Sequence, residues 1–217
     1  MITQIKGLIF DLDGTLIDSR RDLCTAVNLA RADHGLEPLP VDLVTSFVGN
    51  GARKLVERSF IGTGIDVNAA LSQYKAHYAE HLTDETICYP AVQDTLRLLH
   101  SGGICCAVVT NKPEDATREI LRHFGLDTYC DPIIGGDTTP YLKPDPAALV
   151  GVAQVWQLPC AAIAMVGDNW TDFEAGERAG MPTVFARYGF GDPRDHRPDY
   201  TLDSADELLA ICGMQDG

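Results

Sequence analysis

Two carboxylates stand two residues apart in Phe10-Asp11-Leu12-Asp13-Gly14-Thr15, directly after an apolar run. Acids at that spacing can hold a hard cation. They can also divide labour, one attacking an electrophile while the other carries a proton. The preceding residues 5–10, Ile-Lys-Gly-Leu-Ile-Phe, read as a mostly buried strand of a parallel sheet. Ligands of open α/β sheets lie beyond the carboxyl ends of such strands. Asp11 is therefore expected at the sheet edge and Asp13 on the turn just after it. Gly14 supplies the bend, and Thr15 offers a hydroxyl and a backbone N–H. An Asp-Gly turn with a second acid beside it would carry the same letters, so the rest of the chain must decide.

Three more strand-like runs end in polar residues. Val108-Val109-Thr110-Asn111-Lys112-Pro113 ends with a hydroxyl and an amide and then starts a helix, an arrangement that can bind phosphate but also serves as an ordinary turn and cap. Lys143-Pro144-Asp145-Pro146 puts one cation at another such junction, where a solvated surface lysine is the plainer reading. Met165-Val166-Gly167-Asp168-Asn169-Trp170-Thr171-Asp172 follows a strongly apolar strand. Asp172 there can complement a helix dipole, but no capping role accounts for Asp168.

The elements that must position these residues alternate between strand and helix. Strands are expected at 5–11, 104–110, 132–136, 162–167 and 183–187. Helices are expected at 113–124, 145–157 and 171–179, the last opened by Thr171 and Glu174 in capping-box spacing. Such alternation predicts an α/β fold with a Rossmann-like, doubly wound parallel sheet. From about Leu16 to Ile87 the pattern is helical only, beginning with Ser19 and Asp22 as caps of a helix that runs to Gly35. Further helices are expected near 41–47, 52–60 and 67–82. The chain therefore divides into a catalytic core of residues 1–15 and 88–217 and an inserted all-helical cap of residues 16–87, emerging at the Asp11 strand end.

Composition bounds the partners. A length of 217 residues, 45% hydrophobic, suits one soluble core with a modest insertion. Seventeen basic against 31 acidic residues give a net charge of −14, which argues against nucleic acid or an anionic membrane as the main partner. Attraction for an anionic substrate must then be local. Seven cysteines with no CxxC pair read as reduced, packed thiols, and the chain enters its first strand without a signal peptide. A cytoplasmic protein is expected, with only its last few residues disordered.

In a parallel sheet these four strand ends open on one edge and can converge. Together they hold a nucleophile, a proton donor, a cage for a metal and a cation to neutralise phosphoryl oxygens, the inventory of phosphoryl transfer. Asp11-Leu12-Asp13-Gly14-Thr15, Thr110-Asn111, Lys143-Pro144 and Gly167-Asp168 through Asp172 match, in order, the four motifs of haloacid dehalogenase superfamily phosphatases, which the chain resembles over nearly its whole length. Phe47-Val48-Gly49-Asn50-Gly51-Ala52-Arg53 and Thr110-Asn111-Lys112-Pro113 resemble bacterial phosphoglycolate phosphatases in particular. The resemblance implies that Asp11 attacks phosphorus to form an aspartyl phosphate, and that Asp13 protonates the leaving alkoxide and then activates water. It also implies Mg²⁺ held by Asp11, the Asp13 carbonyl and Asp168, phosphoryl oxygens held by Lys143 and Thr110 with Asn111 beside them, and Asp172 orienting Lys143 or a metal-bound water. The expected substrate is a small phosphate ester, foremost 2-phosphoglycolate, with sugar phosphates, nucleoside monophosphates and pyrophosphate as alternatives. A mutase related to β-phosphoglucomutase is a further alternative, but that branch carries a histidine where this chain has Leu23.

Tyr89-Pro90-Ala91, where relatives often have Tyr-Pro-Gly, and Arg20-Arg21 also depart from the family pattern. In the cap, the Gly49-Asn50-Gly51 loop or Arg53 could read a substrate carboxylate; a helix-joining turn and a solvated basic face fit the same residues. His77 and His81 lie one helical turn apart without a third ligand nearby and read as an exposed face. The protein is expected to be a monomer or homodimer.

Overall fold

The structure, a computed structural model, describes residues 4–214. From the N-terminus, β1 (Gly7–Phe10) leads through a tight turn to β2 (Ile17–Asp18). Four helices follow: α1 (Arg20–Ala32), α2 (Val41–Thr45), α3 (Ala52–Ser59) and α4 (Val67–Glu80). The chain returns through β3 (Ile87–Cys88), α5 (Val92–Ser101), β4 (Cys105–Val109), α6 (Glu114–His123) and β5 (Ile133–Ile134). It ends with α7 (Ala147–Trp156), β6 (Ile163–Gly167), α8 (Trp170–Ala179), β7 (Thr183–Ala186), β8 (Tyr200–Leu202) and α9 (Glu207–Ile211).

Six strands form one parallel sheet in the order β5-β4-β1-β6-β7-β8, the doubly wound α/β architecture expected from the sequence. β1 is central because every side chain on it can be buried: Leu8 and Phe10 enter one hydrophobic cluster and Ile9 the other. The second cluster seats α7 and α8 through Leu149, Val152 and Ala175 against Ile163 and Met165. The chain leaves β1 toward β4 on one side and later reaches β6 on the other, so the carboxyl end of β1 is the topological switch point of the sheet.

The five expected strands all form, and the sheet gains a sixth. β8 escapes the sequence pattern because it is a three-residue edge strand with only Leu202 buried. The helical stretch after β1 is bounded by a two-residue antiparallel pair, Ile17↔Cys88 and Asp18↔Ile87, too short to leave a periodic signal. Helix α5 was likewise not anticipated. Residues 215–217, part of the tail expected to be disordered, lie outside the described residues, as do residues 1–3.

Two capping expectations fail. The Ser19 side chain does not cap α1; its Oγ donates to Asp13 Oδ1 at 2.5 Å. Asp22 is buried and accepts from Glu85 N, Thr86 N and Thr86 Oγ1, tying the start of α1 to the returning segment before β3. Helix α8 begins at Trp170, one residue before the expected start, and the acid that closes its first turn is Asp172, which accepts from Asn169 N at 3.0 Å. The Thr171–Glu174 spacing fits a capping box equally well, but the helix uses the Asn169–Asp172 frame two residues earlier.

All seven cysteines are free thiols, and burial pushes Cys130 up to about 12 and Cys88 to about 11. Among the described residues, no helix is long and apolar enough to cross a membrane.

Candidate active site

Strand register brings the polar strand ends together. Phe10 pairs with Val108 on β4 and with Val166 on β6, so Asp11, Thr110 and Asp168 all emerge within a residue or two of the same edge. Asp11 N donates to Val166 O at 2.9 Å, which locks the strand end as the side chain leaves the sheet. Asp11, Asp168 and Asp172 are buried and place one carboxylate oxygen each within 4.8 Å of the others.

Lys143 reaches this group from the β5–α7 loop. Its ammonium lies 2.9 Å from Asp11 Oδ1 and 2.7 Å from Asp172 Oδ1, close ion pairs that are off the hydrogen-bond direction. Burial alone would lower the Lys143 pKa, but Asp11 and Asp172 outweigh it and keep the ammonium charged. Asn111 holds the Lys143 peptide from both sides: Lys143 N donates to Asn111 Oδ1 at 2.9 Å, and Asn111 Nδ2 donates to Lys143 O at 3.0 Å. The same Nδ2 donates to Gly49 O at 2.9 Å. The Asn111 amide is thus occupied by protein.

Asp168 Oδ2 accepts from Phe190 N at 3.0 Å and Gly191 N at 2.6 Å, in the loop after β7, which fixes the side chain at the cavity wall. Burial, with the charges of Asp172 and Asp11, pushes Asp168 well above the usual carboxylate range despite those two amides. Burial also raises Asp172, against the pull of Lys143. Three buried acids therefore share one buried ammonium, and a divalent cation would supply the missing positive charge. The donor set, all hard oxygen, suits Mg²⁺.

Two glycines make the cluster sterically feasible. Gly14 has φ +83°, and a Cβ there would lie 1.8 Å from Asp168 Oδ2. A Cβ on Gly167 would lie 2.3 Å from the Asp172 carboxylate. Both carboxylates occupy space that any side chain at these positions would fill.

Asp13 stands beside this cluster, 12% exposed at its side chain. It receives Lys112 Nζ at 2.9 and 3.1 Å as well as the Ser19 hydroxyl. Lys112 was not singled out by sequence reasoning. It is adjacent to Thr110-Asn111, yet nothing in the local pattern shows that it meets an acid 99 residues away. Its ammonium also lies 4.6 Å from the Tyr78 ring centroid. Thr110 is buried at the end of β4, where its Oγ1 accepts from Lys112 N.

These residues open on a cavity of about 530 Å³, lined by Asp11, Asp13, Thr110, Asn111 and Asp168 from the sheet edge. Helices α1, α3 and α4 and the loop before α3 complete it with Leu23, Val48, Gly49, Gly51, Leu55 and Tyr78, among others. The other residues picked from the α2–α3 segment lie elsewhere. Arg53 is absent from the lining; its guanidinium is 2.7 Å from Asn68 Oδ1 and half exposed. Asn50 Oδ1 accepts from Arg58. His77 and His81 pair with Asp33 and Asp84 respectively, and so face different acids.

Residues 8–186 match the family model of haloacid dehalogenase-like hydrolases. The phosphoglycolate phosphatase of Psychrobacter arcticus is 37% identical over 94% of this chain and 93% of its own, and that of Haemophilus influenzae 34% identical over 97% and 100%. A crystal structure of a predicted phosphoglycolate phosphatase from Haemophilus somnus superposes with a TM-score of 0.88 at 31% identity, covering 97% of this chain and 99% of that one. With its motifs, its fold and near full-length similarity all in agreement, the chain belongs to the haloacid dehalogenase-like hydrolases.

Proposed function

We propose that this chain is a Mg²⁺-dependent phosphatase of small phosphomonoesters, with 2-phosphoglycolate as its substrate, and that it works through an aspartyl phosphate. The observation that carries the reading is the meeting of Asp11, Asp168, Asp172 and Lys143 at one strand edge, with Asp13 one turn away. The named activity of the relatives at 34 and 37% identity supports the substrate.

The Asp11 carboxylate attacks phosphorus as the bond to the leaving oxygen breaks, and Asp13 gives that oxygen its proton. In the second half, Asp13 takes a proton from water, which attacks phosphorus and releases phosphate and free Asp11. Lys143 and Thr110 hold the non-bridging oxygens, where charge builds in the transition state. Asp172 keeps Lys143 aimed at Asp11, and Asn111 fixes the lysine's backbone. Asp11, the Asp13 carbonyl and Asp168 would hold Mg²⁺. When bound, the ion neutralises phosphoryl charge and screens the repulsion between Asp11 and a dianionic ester. Residues 16–87 act as a cap over the core of residues 1–15 and 88–217, excluding bulk water from the reaction.

Phosphate release from 2-phosphoglycolate should stop in EDTA and return with added Mg²⁺. Asp11→Asn should reduce kcat by about 10⁴-fold or more while the protein stays folded. No acid-stable, base-labile phosphoenzyme should form in that variant. If the variant kept more than a trace of turnover, Asp11 would not be the nucleophile.

A further inference from the structure

A dianionic phosphate is met by Lys143 and the ion that the acids would hold, but 2-phosphoglycolate carries a further negative charge on its carboxylate. The cavity wall is poor in positive charge. Of its lining residues only Lys75 and Lys112 are basic, against acids that include Asp115, Glu119, Asp137 and Asp192. Lys75 is exposed on α4, whereas Lys112 is buried, with its side chain 3% exposed.

Lys112 is also held rigidly. Its N–H donates to Thr110 Oγ1, its carbonyl accepts from Gly136 N at 2.7 Å, and its ammonium lies against the Tyr78 ring. Nζ is 2.9 and 3.1 Å from the two oxygens of Asp13. An ammonium carries three donors, and Asp13 uses at most two of them.

We infer that Lys112 is the specificity-determining residue of this cavity, its ammonium bridging Asp13 and a carboxylate on the leaving group of the substrate. The inference rests on the phosphatase reading above. In that reading Asp13 contacts the leaving oxygen, and in a phosphoglycolate-like ester the carboxylate is one methylene from that oxygen. A cation in direct contact with Asp13 is therefore within one hydrogen bond of where the carboxylate must lie. Asp13 and Lys112 then read the leaving group as a unit: the acid meets its ester oxygen and the ammonium its carboxylate. Of the other candidate readers, Arg53 is turned to Asn68 outside the lining, and the Gly49–Gly51 loop lines the cavity but brings no charged side chain to it.

The test compares 2-phosphoglycolate with ethyl phosphate, which has a methyl group in place of the carboxylate, in the Mg²⁺-loaded wild type and in Lys112→Met and Lys112→Arg. Wild type should prefer 2-phosphoglycolate. Lys112→Met should lose roughly 30- to 300-fold more kcat/KM on 2-phosphoglycolate than on ethyl phosphate, mainly through KM. Lys112→Arg should recover most of the preference. Equal losses on both esters would overturn the inference, because a lysine that only positions Asp13 affects every leaving group alike. A wild-type preference near one would overturn it without any variant, while leaving the phosphatase reading intact. Hydrolysis of neither ester, nor of p-nitrophenyl phosphate, would bring down both.

Discussion

The sheet edge and the helices α1–α4 line one cavity in opposite ways. At the edge, polar atoms are committed to named partners: Asp168 to two amides, Lys143 to two carboxylates, Asn111 to both faces of a peptide. The helices offer mostly shape, through Leu23, Leu55 and Tyr74, and the buried Tyr78 hydroxyl has no hydrogen-bond partner among the described residues. Chemistry needs a few atoms at fixed points, and strand ends in a packed parallel sheet supply them. In the inference above the charge of the leaving group is read from that same edge, by Lys112, while its shape meets surfaces assembled from helix faces far apart in sequence.

Three substitutions would break or sharpen this contrast. The largest effect is expected at the edge. Gly14→Ala forces a side chain into the position of Asp168 Oδ2 at a backbone φ of +83°. It should cost about 1–3 kcal/mol of stability in chemical denaturation and at least about 100-fold in kcat. An active Gly14→Ala enzyme would mean that Asp168 need not sit where it does.

On the helical side the effects should be small. Tyr78→Phe keeps the ring against Lys112 and deletes a buried hydroxyl that has no partner among the described residues, so stability in chemical denaturation should be unchanged or up to about 1 kcal/mol higher. A clear loss would reveal a partner for that hydroxyl. The smallest change is expected from Arg53→Ala, within about twofold in kcat/KM for 2-phosphoglycolate and about 0.5 kcal/mol in stability. A tenfold rise in KM would return Arg53 to the cavity and erase the distinction.

The same contrast explains what could be read from the chain. Asp11, Asp13, Thr110, Asp168 and Asp172 follow apolar runs that announce buried strands, so residue type and placement arrive in one local signal, whereas Lys143 lies nine residues beyond β5 and stands out only through the family motif it resembles. The doubly wound fold follows from the same alternation. What stayed hidden is long-range. The pairing of Lys112 with Asp13 depends on how far β4 and β1 extend side by side, and Ser19 looked like a cap because a serine before a helix usually is one. Arg53 stood out as a basic residue after a glycine loop, but which way a helix face turns is set by packing that no short string records. β8 and the β2–β3 pair are too short for any period to show.

The amide of Asn111 carries one last implication. Two of its hydrogen bonds grip the peptide of Lys143, and a third reaches Gly49 across 62 residues of sequence. If the Gly49 segment swings away, this amide gives up a single contact worth about 1 kcal/mol, and the grip on the lysine survives. Traffic through the doorway can then proceed without dismantling the machinery behind it, which stands ready before each arrival.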